Sequence, residues 1–129
     1  MTRDLTDVID LFARKEKRER LIALSEKASR RADFLDAFLH DRRSLDPRVL
    51  APLAPHGLSV DRIVAQVGKA SDAAHCLGGV GDDDGRDATL VTLLTANALR
   101  SRDLLIYDLV TRRAYYENHE GECFVLRSP

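Results

Sequence analysis

The C-terminal part of the chain constrains the fold most, because it contains short strand-like runs that are apolar on consecutive positions. Leu104 to Leu109 opens with four apolar residues in succession, and Glu122 to Arg127 contains three. A strand that is apolar on both sides of its pleat is buried on both faces. With Arg113 to Glu117 between these runs and short connections throughout, we expect a three-stranded antiparallel meander.

The N-terminal part supplies helices to cover such a sheet. Apolar residues between positions 21 and 39 recur at steps of three or four, which predicts an amphipathic helix from about Lys17 to His40 with Glu26 and Arg30 exposed. Its predicted buried stripe is Leu21, Leu24, Ala28, Ala32, Leu35 and Leu39. A similar stripe begins at Leu5, so one long helix and two abutting helices over residues 5–40 fit equally well.

The middle of the chain predicts a helix, a strand and a second helix. Ser59 is suited to cap a helix that ends near Gly68, Ala73 to Val80 reads as a short buried strand, and Asp87 is suited to cap the next helix. The order of helices, strand, helix and three strands predicts a two-layer α+β domain. We expect one domain over 1–129, with a helical part (1–45) packed on a small antiparallel sheet (73–129).

Charge and composition narrow the class of protein. Twenty basic and twenty-one acidic residues give a net charge of −1, which provides no overall field for nucleic acid or an acidic membrane. Sixteen of the basic residues are Arg and fifteen of the acids are Asp, as in proteins from GC-rich bacteria. No long apolar segment is present, and two cysteines form neither a disulfide framework nor a zinc motif. We expect a cytoplasmic protein with reduced thiols and no cofactor.

Two segments suggest an enzyme without completing a known motif. The loop from Gly78 to Asp87 lacks the Lys-Ser/Thr of a phosphate loop and the ligand spacing of an EF-hand, so we predict no tight metal site there. Cys76 could serve as a nucleophile if His119 or His56 lay beside it, although a buried structural cysteine is the commoner case. His119-Glu120 lacks a metalloprotease pattern and is interpreted as an exposed turn. A small hydrolase or transferase using Cys76 or Asp82–Asp87 is therefore our alternative hypothesis, and we assign neither catalytic nor metal-ligating residues.

A basic helix face provides a third hypothesis. Arg20, Lys27 and Arg31 would lie on one side of the predicted apolar stripe, where they could contact phosphates as part of a nucleic-acid-binding regulator. Favourable i to i+4 pairs such as Glu16 with Arg20 are typical of an ordinary solvated helix, and no recognised binding pattern accompanies the charge. The sequence thus disfavours nucleic acid as the partner.

The leading hypothesis comes from the second face of the sheet, which either the N-terminal helices or another protein must cover. Tyrosine is favoured at protein interfaces because it buries area and keeps its hydroxyl wet. The residues predicted to bind a partner are Tyr107, Arg112, Arg113, Tyr115, Tyr116 and Glu117. We therefore expect a non-catalytic bacterial protein-interaction module, such as a regulator, adaptor or immunity-type inhibitor. It is expected to form a homodimer through the strands Leu104 to Leu109 and Arg113 to Glu117.

Overall fold

The computed structural model describes residues 4–128 and contains a six-stranded antiparallel sheet. The strand order is β1-β6-β5-β4-β2-β3, and every pair of neighbours is antiparallel. The strands are β1 (Leu50–Pro52), β2 (Ala73–Gly78), β3 (Asp87–Thr89), β4 (Leu104–Asp108), β5 (Ala114–Glu117) and β6 (Cys123–Leu126). The expected small sheet is therefore larger, since β1 and β3 extend it at its two edges.

Helices cover both faces of this sheet. They are α1 (Thr6–Phe12), α2 (Arg18–Ser25), α3 (Arg31–Leu39), α4 (Val60–Val67) and α5 (Leu90–Asn97). One hydrophobic core joins α1, α2 and α3 to one face, and a second joins α4 and α5 to the other. The prediction of mixed α+β structure is confirmed, but the structure has three layers where two were expected. The sequence left open whether helices or a partner protein cover the second face of the sheet. In the structure, helices of the chain itself cover both faces. No helix among the described residues combines the length and apolar character needed to cross a membrane.

The predicted single helix from about Lys17 to His40 is wrong, because it is interrupted after α2, and residues 5–40 as a whole contain two helix breaks. After α1, Ala13 is extended and pairs with Leu45, and a 3-10 turn (Lys15–Lys17) leads into α2. At the end of α2 the Ser25 hydroxyl donates to the Ile22 carbonyl, and a second 3-10 turn (Ala28–Arg30) precedes α3. A hydroxyl that bonds the backbone locally competes with helix continuation.

The second break also changes the buried face of α3. Phe34, Phe38 and Leu39 are buried, whereas Ala32 is exposed and Leu35 is only partly buried. Ala28, in the 3-10 turn, is exposed as well. The predicted stripe therefore holds at Leu21, Leu24 and Leu39. It fails at Ala28 and Ala32, and in part at Leu35, because the break resets the helical phase.

Helix caps further along the chain show one success and one error. Ser59 caps α4 by accepting the Arg62 amide, and the helix ends at Gly68, as predicted. The cap of α5 is Thr89 instead of Asp87, because Asp87 belongs to β3 and contacts His75 across the β2–β3 pair.

Candidate metal centre

Three side chains from separate segments converge at one end of the sheet. His40 follows α3, Asp103 precedes β4, and His119 lies in the turn between β5 and β6. Each offers one metal-ligating atom, and the three atoms lie within 4.8 Å of one another. Nδ1 of His40 is 3.1 Å from one oxygen of Asp103, and Nδ1 of His119 is 3.0 Å from the other. Two imidazoles and a carboxylate are a ligand set suited to zinc and similar divalent transition metals.

The contacts also define the protonation of the cluster. Partial burial opposes ionisation of Asp103, but the hydrogen bonds from His119 and His40 outweigh it and hold the pKa of Asp103 below 3.8. In return, the hydrogen bond to Asp103 raises the pKa of His119. Because a carboxylate only accepts, each imidazole donates to Asp103 through its Nδ1–H. A metal ion bound at the same atoms would replace those protons.

The two imidazole rings stack in this arrangement. Their centroids are 4.4 Å apart, and the ring planes differ by 12°. Since an imidazole lone pair lies in the plane of its ring, two parallel rings must turn before both can ligate one ion. The side chains of His40 and His119 are 54% and 44% exposed, so they have room to turn.

Buried polar residues of β5 and the position after it hold the segments that carry the three ligands. The first is Tyr116, whose buried hydroxyl donates to the Leu39 carbonyl at 2.7 Å. Leu39 is the last residue of α3 and immediately precedes His40. This bond ties the end of α3 to the centre of the sheet and thereby places His40.

Glu117 holds the segment that leads to Asp103. Its buried carboxylate accepts the backbone amides of Leu99, Arg100 and Arg102 at 2.6, 3.1 and 3.3 Å. Two non-glycine residues of this turn, Leu99 and Ser101, have φ values of 64° and 52°. Such conformations persist where surrounding contacts over-determine them, and they cluster at functional sites.

Asn118 organises the turn that carries His119. Its buried side-chain oxygen accepts the amides of Glu120 and Glu122 at 3.1 and 3.2 Å, and its amide group donates to the Glu122 carboxylate. His119 itself donates its backbone N–H to Asp103 at 3.0 Å. Three consecutive residues, 116 to 118, therefore each position one segment of the cluster.

A polar cleft of about 350 Å³ opens beside the two histidines. Arg43 forms an ion pair with Asp41 at 2.7 Å, and Arg42 forms one with Glu122 at 3.4 Å, so both lining arginines are already paired. Glu120 and Asp103 add two further carboxylates, which gives the surroundings an excess of negative charge when the histidines are neutral. This balance favours a cation over an anion.

Most residues predicted to bind a partner lie inside the molecule. Tyr107 and Tyr116 belong to the core beneath the N-terminal helices, and Tyr115 belongs to the core beneath α4 and α5. Glu117 is buried as described above, and the four residues lie on the inner strands β4 and β5. Their predicted role as surface contacts is wrong because the chain's own helices cover both faces. The homodimer stays a prediction, but it loses these four residues as its interface.

Arg112 and Arg113 are the predicted partner residues that do reach the surface. They lie in the turn between β4 and β5, next to Val110, a large apolar side chain that is 67% exposed. Arg112 has a φ of 62°, and the Arg113 guanidinium donates to the Gln66 carbonyl at 3.2 Å.

The predicted nucleic-acid residues do not share one helix. Arg20 lies on α2, Lys27 lies in the break after it, and Arg31 begins α3. Arg31 forms two hydrogen bonds, at 2.7 and 2.8 Å, with the Asp84 carboxylate. The continuous basic face is therefore wrong, because the break separates its members and a carboxylate already occupies Arg31.

Cys76, Asp83 and Asp84, which belong to the enzyme hypothesis, are engaged in structural contacts. Burial, together with Asp83 and Asp84, raises the pKa of the Cys76 thiol to about 12, which disfavours the nucleophilic thiolate. Asp83 accepts from the Asn97 side chain at 2.8 Å, and Asp84 accepts the Gly78 amide at 2.9 Å in addition to Arg31. These bonds hold the acidic loop against α3 and α5.

No sequence pattern indicated His40 and Asp103 as ligands, and the pattern around His119 predicted only an exposed turn. The three ligands are single residues on loops, separated by 63 and 16 positions, and they form no motif of fixed spacing. The strongest signal available was indirect: polar Glu117 and Asn118 directly follow the consecutive apolar residues 114 to 116. No family model, curated protein or solved structure compared with the chain matches it.

Proposed function

We propose that the protein binds one divalent transition-metal ion through His40, Asp103 and His119. The observation that carries this proposal is the convergence of two imidazoles and a carboxylate within 4.8 Å, on three segments anchored by consecutive buried residues. Polar side chains that come together on a surface by chance would not require buried residues to hold their segments in place. Buried polar groups that orient metal ligands are a recurrent part of metal sites.

The ligand set favours an open site. Three protein ligands leave at least one coordination position for water or a further ligand, as in zinc sites that bind or activate a small molecule. The neighbouring cleft gives that position access to solvent. Imidazole and carboxylate ligands suit Zn²⁺, Co²⁺ and Ni²⁺ better than Ca²⁺, which prefers six or more oxygen ligands.

Titration calorimetry with Zn²⁺ and visible spectroscopy with Co²⁺ test the proposal. We expect saturable binding of one ion per chain, with Co²⁺ absorption bands that report nitrogen and oxygen ligands. His119→Ala, His40→Ala and Asp103→Asn should each weaken binding by at least about tenfold, since each removes one of three ligands.

His56→Ala is the matched control. His56 is an exposed histidine beside the apolar groove near α4 and is not part of the cluster. This variant should bind Zn²⁺ as the unaltered protein does. Equal weakening by His56→Ala and His119→Ala, or no saturable binding by the unaltered protein, would refute the proposed site.

A second candidate is the non-catalytic protein-interaction module, now centred on the β4–β5 turn. The observation that favours it is the exposed apolar Val110 beside Arg112 and Arg113 on one short turn. An apolar contact flanked by two arginines suits an acidic surface on a partner protein. Regulator, adaptor and immunity-type inhibitor all remain compatible roles.

Purification from the native host, with the co-eluting proteins quantified, tests this second candidate. A stoichiometric partner should be retained by the unaltered protein and lost by Val110→Asp, whereas Gln66→Ala, outside the turn, should retain it. Loss with both variants, or the absence of a stoichiometric partner, would count against the turn as an interface.

A further inference from the structure

A buried pair of carboxyl groups lies at the opposite end of β4 from the side chains of His40, Asp103 and His119. Asp108 ends β4 and is fully buried, and Asp72, which precedes β2, is nearly so. The Oδ1 atom of Asp108 accepts the amides of Val110 and Thr111 at 2.8 and 2.9 Å. Its Oδ2 atom has no hydrogen-bond donor among residues 4–128.

The Oδ2 atom of Asp108 lies close to Gly68. A Cβ atom added at Gly68 would overlap Oδ2 of Asp108 and would lie 2.7 Å from Oδ2 of Asp72. The two carboxyl oxygens therefore face each other in the space that a side chain at position 68 would fill. Two ionised carboxylates in such a position repel, whereas a carboxylic acid beside a carboxylate donates a hydrogen bond to it.

The charged groups around the pair compensate this repulsion only in part. Asp72 accepts the backbone amide of Lys69 at 2.9 Å, and the Lys69 ammonium is the cation that acts on it. From the β4–β5 turn, the guanidinium of Arg113 binds the Gln66 carbonyl and that of Arg112 binds the Tyr107 hydroxyl. The residues of α5 carry no charge.

We propose that Asp72 and Asp108 form a proton-sharing site that holds one proton between two carboxyl groups. The bonded pair joins the segment before β2 to the end of β4, beneath the C-terminal end of α4. Burial raises the pKa of Asp108, and Asp72 adds to this shift although the amides of Thr111 and Val110 oppose it. The Lys69 amide, followed by Asp108, lowers the pKa of Asp72. The proton is therefore bonded to Asp108 and is donated in a hydrogen bond to Asp72.

The proton links folding to pH with a defined sign. An unfolded Asp108 loses its proton near pH 3.8, whereas the native residue keeps it to higher pH. The contribution of Asp108 to stability therefore falls as pH rises from 3.8 through its native pKa. Replacement of Asp108 by asparagine keeps an acceptor for the turn and a donor for Asp72, and it removes the proton that must be retained.

Carboxyl ¹³C NMR titration of the whole chain tests the site. In the unaltered protein, Asp108 should titrate above 3.8 and Asp72 below it. Asp72→Asn should lower the pKa of Asp108, whereas Asp61→Asn, at an exposed position of α4, should leave it unchanged. Titration of both carboxyl groups at or below the ordinary value, without mutual influence, would overturn the proposal.

Urea unfolding keeps the test decisive if Asp72→Asn fails to fold. The equilibrium constant for folding of Asp108→Asn, divided by that of the unaltered protein, should rise as pH increases from 3.8 through the native pKa of Asp108. A ratio that does not change with pH would show that no retained proton distinguishes the two proteins, and it would refute the shared proton.

Discussion

The two ends of β4 place the same type of side chain in opposite environments. Asp103 precedes the strand, is partly exposed and receives hydrogen bonds from two imidazoles, so its pKa lies below 3.8. Asp108 ends the strand, is buried and faces another carboxyl group, so its pKa lies above that value. The neighbours of each aspartate thus decide whether it can bind a metal ion or instead holds a proton. Neither role can be read from the residue type alone.

The largest effect is expected at the buried end. Gly68→Ala should cost about 3 kcal/mol of unfolding free energy, because the new methyl group must displace the carboxyl oxygens of Asp108 and Asp72. Urea denaturation measures this cost. Metal binding at the other end of β4 should be unaffected in the folded protein.

Gly81→Ala is the comparison for that substitution. An added Cβ at Gly81 meets nothing within 4 Å, so its φ of 56° is the main obstacle. We expect a cost of about 1 kcal/mol. Equal losses from the two substitutions would show that the carboxyl pair does not need the space at Gly68.

Glu117→Gln should act at the metal-binding end in two ways. It replaces a carboxylate that accepts three backbone amides, which should cost about 2 kcal/mol of unfolding free energy. The turn before Asp103 then loses its support, so the dissociation constant for Zn²⁺ should rise by about ten- to a hundredfold. Calorimetry and urea denaturation measure the two effects separately.

Tyr115→Phe separates general stability from positioning. The Tyr115 hydroxyl donates to Glu117 at 2.9 Å, but the three backbone amides still hold the carboxylate without it. We expect a loss of about 1 kcal/mol with unchanged Zn²⁺ affinity. If Glu117→Gln and Tyr115→Phe each weakened Zn²⁺ binding in proportion to the loss of stability, Glu117 would have no positioning role.

Tyr116→Phe should have a smaller effect on stability than Glu117→Gln. It removes one neutral hydrogen bond to the Leu39 carbonyl, at a cost of about 1 kcal/mol. Because that bond places the end of α3, the NMR signals of the His40 ring should shift. Tyr107→Phe, which loses a bond at 3.4 Å near the surface, should leave His40 unperturbed.

The smallest effect concerns pH at the exposed cluster. The pKa of His119 should lie above 6.5 and should fall in Asp103→Asn, since the hydrogen bond to Asp103 causes the shift. The stabilisation from this pair is complete below pH 6.5 and is lost as pH rises through the raised pKa. Proton NMR of the ring measures both values. An unchanged His119 titration in Asp103→Asn would separate the histidine from the carboxylate.

Local pattern predicted four of the six strands well. Residues predicted as strands at 73–80, 104–109, 113–117 and 122–127 contain β2, β4, β5 and β6. Consecutive apolar residues and the serine cap of α4 are local signals, so the sequence reports them directly. The edge strands β1 and β3 were missed because each has three residues, too few for an alternating pattern.

The candidate site depends on distant parts of the chain and could not be predicted in the same way. His40 reaches Asp103 only because α3 packs on the sheet through Phe34 and Phe38, and neither contact leaves a local pattern. The basic side of the predicted helix was wrong for a related reason. The prediction continued the helical periodicity of α2 through the 3-10 turn at Ala28–Arg30, where the helix is interrupted.

The alternation of side chains along β5 makes the site depend on strand pairing. Tyr115 enters one core and Tyr116 enters the other, and residues 116 to 118 hold the three metal-ligating segments. A slip of one residue against β4 would exchange the faces of every side chain on β5. The same slip would break all three supports at once. The native register of β5 is therefore a requirement for assembly of the cluster, and a misregistered intermediate cannot assemble the ligands.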